Sequence, residues 1–149
     1  MKAVIQCVTD ASVEISGEVV GEIERGLCVL LGVAEGDEEE DAAWMARKLA
    51  KLRVFPDSEG RTNCDLHDVG GAVLLVSQFT LLGDCAKGNR PSFIKAADPE
   101  NANALYESVA KRLKMDHGVA VETGRFGEQM TVRLSNQGPF TVLLDSSER

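Results

Sequence analysis

This 149-residue chain has only two histidines, His67 and His117. A Ser-His-Asp kind of triad therefore has few candidates for its base, and a histidine-rich metal site has none. The four cysteines, Cys7, Cys28, Cys64 and Cys85, form no C-x-x-C pair, which removes the usual framework of a structural zinc site. No metal and no cofactor is expected. Long apolar runs are missing too, so no segment reads as a membrane span. The short apolar start after Met1-Lys2 is broken by Asp10 and Glu14, unlike a signal peptide. Positive charge is scarce. Lys and Arg number 16 against 24 Asp and Glu, a net charge of -8. A broad phosphate-binding surface needs the opposite sign. DNA is therefore not an expected partner, and any RNA contact must rest on a local basic patch. There are no repeats, low-complexity segments or linkers. The chain reads as one domain over residues 1–149, in a reducing, cytoplasmic setting.

What is present is the pattern of a mixed α/β fold. Lys2 to Val8, Ala11 to Ile15 and Glu18 to Ile23 read as short strands, with Ser16-Gly17 as a hairpin turn. Leu27 to Val33 is continuously apolar, as a central strand covered on both faces must be. Asp37 is the expected N-cap of a helix with Ala42, Met45, Leu49 and Leu52 on its apolar stripe, ending before Pro56. Pro56 to Asn63 reads as a polar loop, and His67 falls in the loop before the next strand. Ala72 to Phe79 is the second buried strand, and Leu82 to Lys95 a polar loop. A second helix starts at Asp98-Pro99, buries Ala102, Leu105, Val109 and Leu113, and ends near His117-Gly118. Val119 to Thr123, Gln129 to Leu134 and Phe140 to Leu144 close the chain as strands. Cys7 and Cys28 lie in apolar strands and read as buried thiols. The expected architecture is a mixed β-sheet bent into a partial barrel, with two main helices packed on it.

Two stretches place compact polar or special-backbone residues where strands should end, which is where a rigid scaffold presents groups to a ligand. The first is Ser77-Gln78-Phe79-Thr80-Leu81. It reads either as a strand end with Ser and Thr capping the backbone, or as a catalytic segment. In the second reading Thr80 is a nucleophile, or the N–H groups near Phe79 and Thr80 form an oxyanion hole. Neither histidine is an obvious base for Thr80, which favours backbone catalysis. The second stretch is Asn136-Gln137-Gly138-Pro139-Phe140-Thr141, a turn or a backbone contact surface. Between them, Lys87 and Arg90 form a compact basic pair near Phe93. The segment reads as a solvated loop, or as an RNA-end contact with Phe93 as a stacking surface. Phe126, bracketed by Gly124 and Gly127, is a core residue or a pocket wall.

Taken together, these segments resemble the D-aminoacyl-tRNA deacylase family. Met1 to Val33, Ser77 to Leu81, the Lys87 to Phe93 loop, Gly124-Arg125-Phe126, Met130 and Asn136 to Thr141 all fall where that family has them. The resemblance implies a homodimer that hydrolyses the ester between a D-amino acid and the 3′ end of tRNA, with its active site at the interface. It also implies action on misplaced glycine. Gln78, Phe79 and Thr80, next to Ser77, would line the catalytic pocket, with Phe126 and Met130 enclosing the terminal adenosine. Gly138 and Pro139, joined by a cis peptide, would reach in from the other subunit and leave no room for an L side chain. Two positions depart from the family pattern. Cys7 stands where an arginine usually braces the Gly-Pro element, and Phe140 where valine is common. A sister branch with a trans Gly-Pro and activity on L-alanyl-tRNA is the runner-up. A non-catalytic tRNA-binding module and a Thr80-dependent esterase compete with both.

Overall fold

The computed structural model describes residues 1–149. Its first four strands sit where the apolar pattern puts them: β1 (Lys2–Val8), β2 (Asp10–Ile15), β3 (Glu18–Ile23) and β4 (Gly26–Gly32). Ser16 and Gly17 turn the chain between β2 and β3 with φ of 52° and 84°, the positive values that a tight hairpin needs. Helix α1 (Glu39–Lys51) is capped by Glu38, not by Asp37. Local donors engage Asp37 instead: its carboxylate accepts from the Ala34 N–H at 2.6 Å and from the Met1 amino group at 2.7 Å. Glu38 and Asp41 then cap reciprocally, a capping box.

The supposed loop after α1 contains a small hairpin, β5 (Phe55–Pro56) with β6 (Thr62–Cys64). Asp57 Oδ1 turns it by accepting from the N–H groups of Glu59 and Arg61. His67 lies in a short helix, α2 (Leu66–Val69), rather than in a loop. Asp65 caps its start and Gly70, at φ 62°, its end. Strand β7 (Ala72–Ser77) stops two residues before Phe79, and the chain enters one 3-10 turn, Phe79–Leu82. Helix α3 (Pro99–Met115) starts as expected, with the Asp98 carboxylate accepting from the Asn101 N–H at 3.0 Å. Strands β8 (Ala120–Thr123), β9 (Thr131–Ser135) and β10 (Thr141–Asp145) complete the order.

A five-stranded mixed sheet runs β10-β1-β4-β7-β8, with β4, β7 and β8 parallel and β1 antiparallel to both neighbours. A three-stranded antiparallel sheet runs β3-β2-β9. The central strands β4 and β7 are covered on both faces. Leu27, Val29, Leu31, Val73 and Leu75 share one core with α1 and α3, through Met45, Leu49, Leu105, Val109 and Leu113. Their alternate neighbours Cys28, Leu74 and Val76 share a second core with Val13 and Ile23 of the smaller sheet. Each such Leu or Val contributes about 1.5–3 kcal/mol when fully buried. Two-sided burial makes β4 and β7 rigid, and rigidity at the end of β7 is what positions the site.

Candidate active site

The β4–β7 ladder runs out at Leu31 opposite Ser77, with the Gln78 N–H donating to the Leu31 carbonyl at 2.8 Å. The backbone then tightens: Leu81 N–H donates to Gln78 O at 3.2 Å and Gly83 N–H to Thr80 O at 3.0 Å. In a turn that begins this way, the N–H groups of Phe79 and Thr80 have no acceptor inside the turn. Such paired, fixed donors can hold a developing negative oxygen. Gly32 makes the close approach possible. A Cβ there would stand 2.8 Å from Gln78 O and 2.6 Å from Leu82 Cδ2. Thr80 is exposed, and its hydroxyl accepts from the Gln78 side-chain amide, a donor that cannot act as a base.

A largely apolar cavity of about 480 Å³ opens beside this turn. Ser77, Gln78 and Phe79 line one side, Pro99 and Ala102 of α3 another, and Phe126, Glu128 and Met130 of the β8–β9 connection a third. Parallel strands characteristically present ligand sites beyond their carboxyl ends, and this cavity lies beyond the end of β7. A larger groove of about 840 Å³ elsewhere is lined by groups that already pair with each other. Lys95 meets Asp84 at 2.8 Å and Arg149 meets Asp41 at 3.1 Å. The Lys95 bond holds the Asp84 carboxyl below its ordinary value. That groove therefore offers less free chemistry than the smaller one.

The structure brings together Ser77, Gln78, Phe79, Phe126 and Met130, with Thr80 next in the turn. Phe93 does not line the cavity. Its ring packs edge-on against Phe79, centroids 5.1 Å apart, and so supports the pocket residue. Lys87 and Arg90 are exposed on a loop closed at its base by reciprocal backbone bonds between Asp84 and Ser92, at 2.8 and 2.9 Å. They lie outside the cavity lining. Gly138 and Pro139, joined by a cis peptide, are also exposed and outside it.

Cys7 does not take over the bracing expected of an arginine side chain. Its thiol is directed at the Val54 carbonyl, 3.9 Å away, while its main-chain N–H donates to the Phe140 carbonyl at 3.1 Å. Burial pushes the Cys7 thiol up, and that of Cys28 up to about 11. Asn136 supplies the side-chain brace, through bonds to Phe140 and Thr141. Sequence reasoning assigned Asn136 no such role, although an Asn two residues before Gly-Pro is a signal for side-chain-to-backbone bonding. It also missed Pro99, Ala102 and Glu128, because only the tertiary packing carries α3 and the β8–β9 connection to β7.

The model of the family described as D-Tyr-tRNA(Tyr) deacylase matches residues 4–145. A D-aminoacyl-tRNA deacylase of Thermus aquaticus is 55% identical over 149 residues, covering 100% of this chain and 97% of its own. One of Bacillus licheniformis is 56% identical over 146 residues, covering 98% and 99%. Among solved structures, "c-Myc DNA Unwinding Element Binding Protein" superposes with a TM-score of 0.92 at 40% identity, covering 97% of this chain and 98% of its own. A second, "Structural Analysis of a probable eukaryotic D-amino acid tRNA deacylase", has a TM-score of 0.80 at 18% identity, covering 96% and 97%, and shares the fold.

Proposed function

The chain belongs to the D-Tyr-tRNA(Tyr) deacylase family, and we propose on that premise that the cavity beyond β7 takes the 3′ end of D-aminoacyl-tRNA and hydrolyses its ester. Free tRNA and the D-amino acid are the products, which makes the reaction one of chiral proofreading. Glycine carried on the wrong tRNA is a second substrate, since it has no side chain to reject. The observation that carries this reading is the start of the Phe79–Leu82 turn, whose first N–H groups have no acceptor inside the turn and which begins at the edge of an apolar cavity of about 480 Å³. Phe126 and Met130 enclose the adenosine. The N–H groups of Phe79 and Thr80 hold the carbonyl oxygen as water attacks. The ester is already activated, so a strong side-chain base is not required. Thr80 acts through its backbone.

Gly138 and Pro139 stand outside the cavity of their own protomer, and they serve the pocket of a second copy in a homodimer. There their carbonyls hold the α-amino group and exclude an L side chain. Lys87 and Arg90, exposed on their loop, meet the tRNA backbone. The setting is the cytoplasm, in keeping with four free cysteines. Relatives named D-aminoacyl-tRNA deacylase at about half identity favour this activity over the sister branch, a binding module or a general esterase.

The test is ester loss from D-tyrosyl-tRNA, L-tyrosyl-tRNA and a small aryl ester. Turnover of the D form alone is expected. Equal rates on both enantiomers would remove the chiral filter, and no turnover on either tRNA would leave a binding module. Dilution series read the dimer: specific activity should fall below the concentration at which sedimentation shows monomers.

A further inference from the structure

Resting on the reading that this cavity takes the terminal nucleoside of an aminoacyl-tRNA, we infer that Tyr106 is a positioning residue for substrate binding. It ties together the three elements that form the cavity wall. Tyr106 is on α3, one turn after Ala102, which lines the cavity. Residues four apart share a helix face, so Tyr106 sits directly below that wall. It is 4% exposed and is not in the lining itself.

Its hydroxyl donates to the Leu75 carbonyl at 2.7 Å, in the buried interior. Leu75 is two residues before Ser77, and it is also where the β7–β8 ladder ends, paired with Thr123. The next N–H along, that of Gly124, donates to the same carbonyl at 3.3 Å. One oxygen thus receives α3 and the first residue of the β8–β9 connection together. The connection then folds back on its own stem. A Cβ at Gly124 would stand 2.5 Å from Met130 Sδ, so Met130 packs where only glycine leaves space. On the far side, the Tyr106 ring lies 6.0 Å from that of Phe126, tilted by 51°. An aromatic pair at that separation is within the favourable range. Tyr106 therefore fixes the height of the β7 end through Leu75 and the orientation of Phe126 through its ring. The ring it orients, Phe126, lines the wall assigned to the nucleoside and is not part of the Phe79–Leu82 turn, so the expected effect is on substrate binding.

The test is Tyr106→Phe, which removes one oxygen and keeps the ring. With D-tyrosyl-tRNA, KM should rise roughly threefold to tenfold, the worth of one net hydrogen bond, while kcat stays within about twofold. Phe126→Leu should raise KM as well. In the double variant the two effects should not add, because the hydroxyl bond to Leu75 holds in place the ring against which Phe126 packs. Loss of thermal stability with an unchanged KM would make Tyr106 a core residue only and overturn the inference. Independent, additive KM effects, or a fall in kcat alone, would overturn it too. Wild-type protein that turns over no D-tyrosyl-tRNA would instead overturn the function reading, and this inference with it.

Discussion

Asn136 grips Phe140 at both of its backbone groups: Asn136 Oδ1 accepts from the Phe140 N–H at 2.7 Å, and Asn136 Nδ2 donates to the Phe140 carbonyl at 3.2 Å. The same carbonyl accepts from the Cys7 N–H at 3.1 Å. The three residues between, Gln137 to Pro139, form a loop whose C-terminal base this bond ties to β1, next to the β1–β10 ladder. Replacing Asn136 with Ala leaves the partly buried Phe140 amide unpaired, at a cost of about 1–3 kcal/mol. Denaturant unfolding should show that loss, and hydrolysis of D-tyrosyl-tRNA should fall with it. Asn136→Asp keeps the acceptor and lacks the donor, so it should lie between Ala and wild type. Equal stability of all three proteins would mean the clasp contributes nothing.

Gly32 is predicted to be intolerant of any side chain. Its missing Cβ is the space in which Gln78 O and Leu82 sit. Overpacking a core contact costs about 1–3 kcal/mol. Here the displaced atoms belong to the turn proposed to carry the oxyanion donors, so Gly32→Ala should lower kcat as well as the melting temperature. Gly17→Ala is a suitable control, because nothing lies within 4 Å of a Cβ at Gly17 and only the positive φ is strained. It should be destabilised without a change in kcat. A Gly32→Ala enzyme with wild-type kcat would refute the close-packing role of this glycine.

Thr80→Ala should retain most of the activity, since the only side-chain partner of Thr80 is the Gln78 amide. Thr80→Pro should not. Proline removes the Thr80 N–H and, as the third residue of the Gln78–Leu81 turn, also pushes Phe79 out of its helical conformation. Removing one oxyanion donor costs about 10²–10³ in kcat. Single-turnover rates on D-tyrosyl-tRNA compare the two. An acyl-enzyme trapped on Thr80 would reverse the assignment and make the hydroxyl the nucleophile.

Binding of tRNA should weaken with salt even though the protein carries a net charge of -8. If Lys87 and Arg90 each neutralise one phosphate, replacing both with Ala should reduce the slope of log affinity against log salt by about 1.4–1.8. An unchanged slope would place the contacts elsewhere, the basic end of α1 being the next candidate.

Cys28 should add a pH dependence at the alkaline end. Buried between the two sheets, its thiol ionises only near about 11 in the folded protein, against an ordinary value of 9.0. The folded state favours the neutral thiol, so that contribution is full below pH 9.0 and is lost as pH rises toward about 11. Stability of wild type relative to Cys28→Ala should decline across that window and be flat below it. At neutral pH, a thiol reagent should label exposed Cys85 quickly and Cys28 only on unfolding. Rapid labelling of Cys28 in folded protein would contradict its burial.

Local chemistry determined most of the elements without any structure. Strands β1 to β4 and the start of α3 are legible because period-2 alternation, continuous apolar runs and an Asp-Pro start are properties of a few neighbouring residues. The same holds for the two segments singled out from residue type, where Ser77 to Leu81 ends a strand and Asn136 to Thr141 forms a turn. Misjudged local details came from competing hydrogen-bond partners, near and far along the chain. Asp37 would cap a helix in isolation, yet Met1 and the Ala34 N–H engage its carboxylate and the cap passes to Glu38.

Only the tertiary structure decided which residues meet. Ala102 and Phe126 lie far from Ser77 along the chain and close to it in space, because β8 pairs with β7 in parallel and α3 crosses between them. No window of sequence encodes that Leu75 O receives both Tyr106 and Gly124, or that the space above Gly32 belongs to Gln78. Nor does the pattern reveal that Cys7 turns its thiol toward Val54 and leaves its backbone to hold Phe140. Propensity and periodicity act over a few residues, whereas a cavity is the space left when elements dozens of residues apart pack to near-crystalline density. The composition of this chain could name the groups available for catalysis. The distances between them were set by the packing of β7, α3 and the β8–β9 connection.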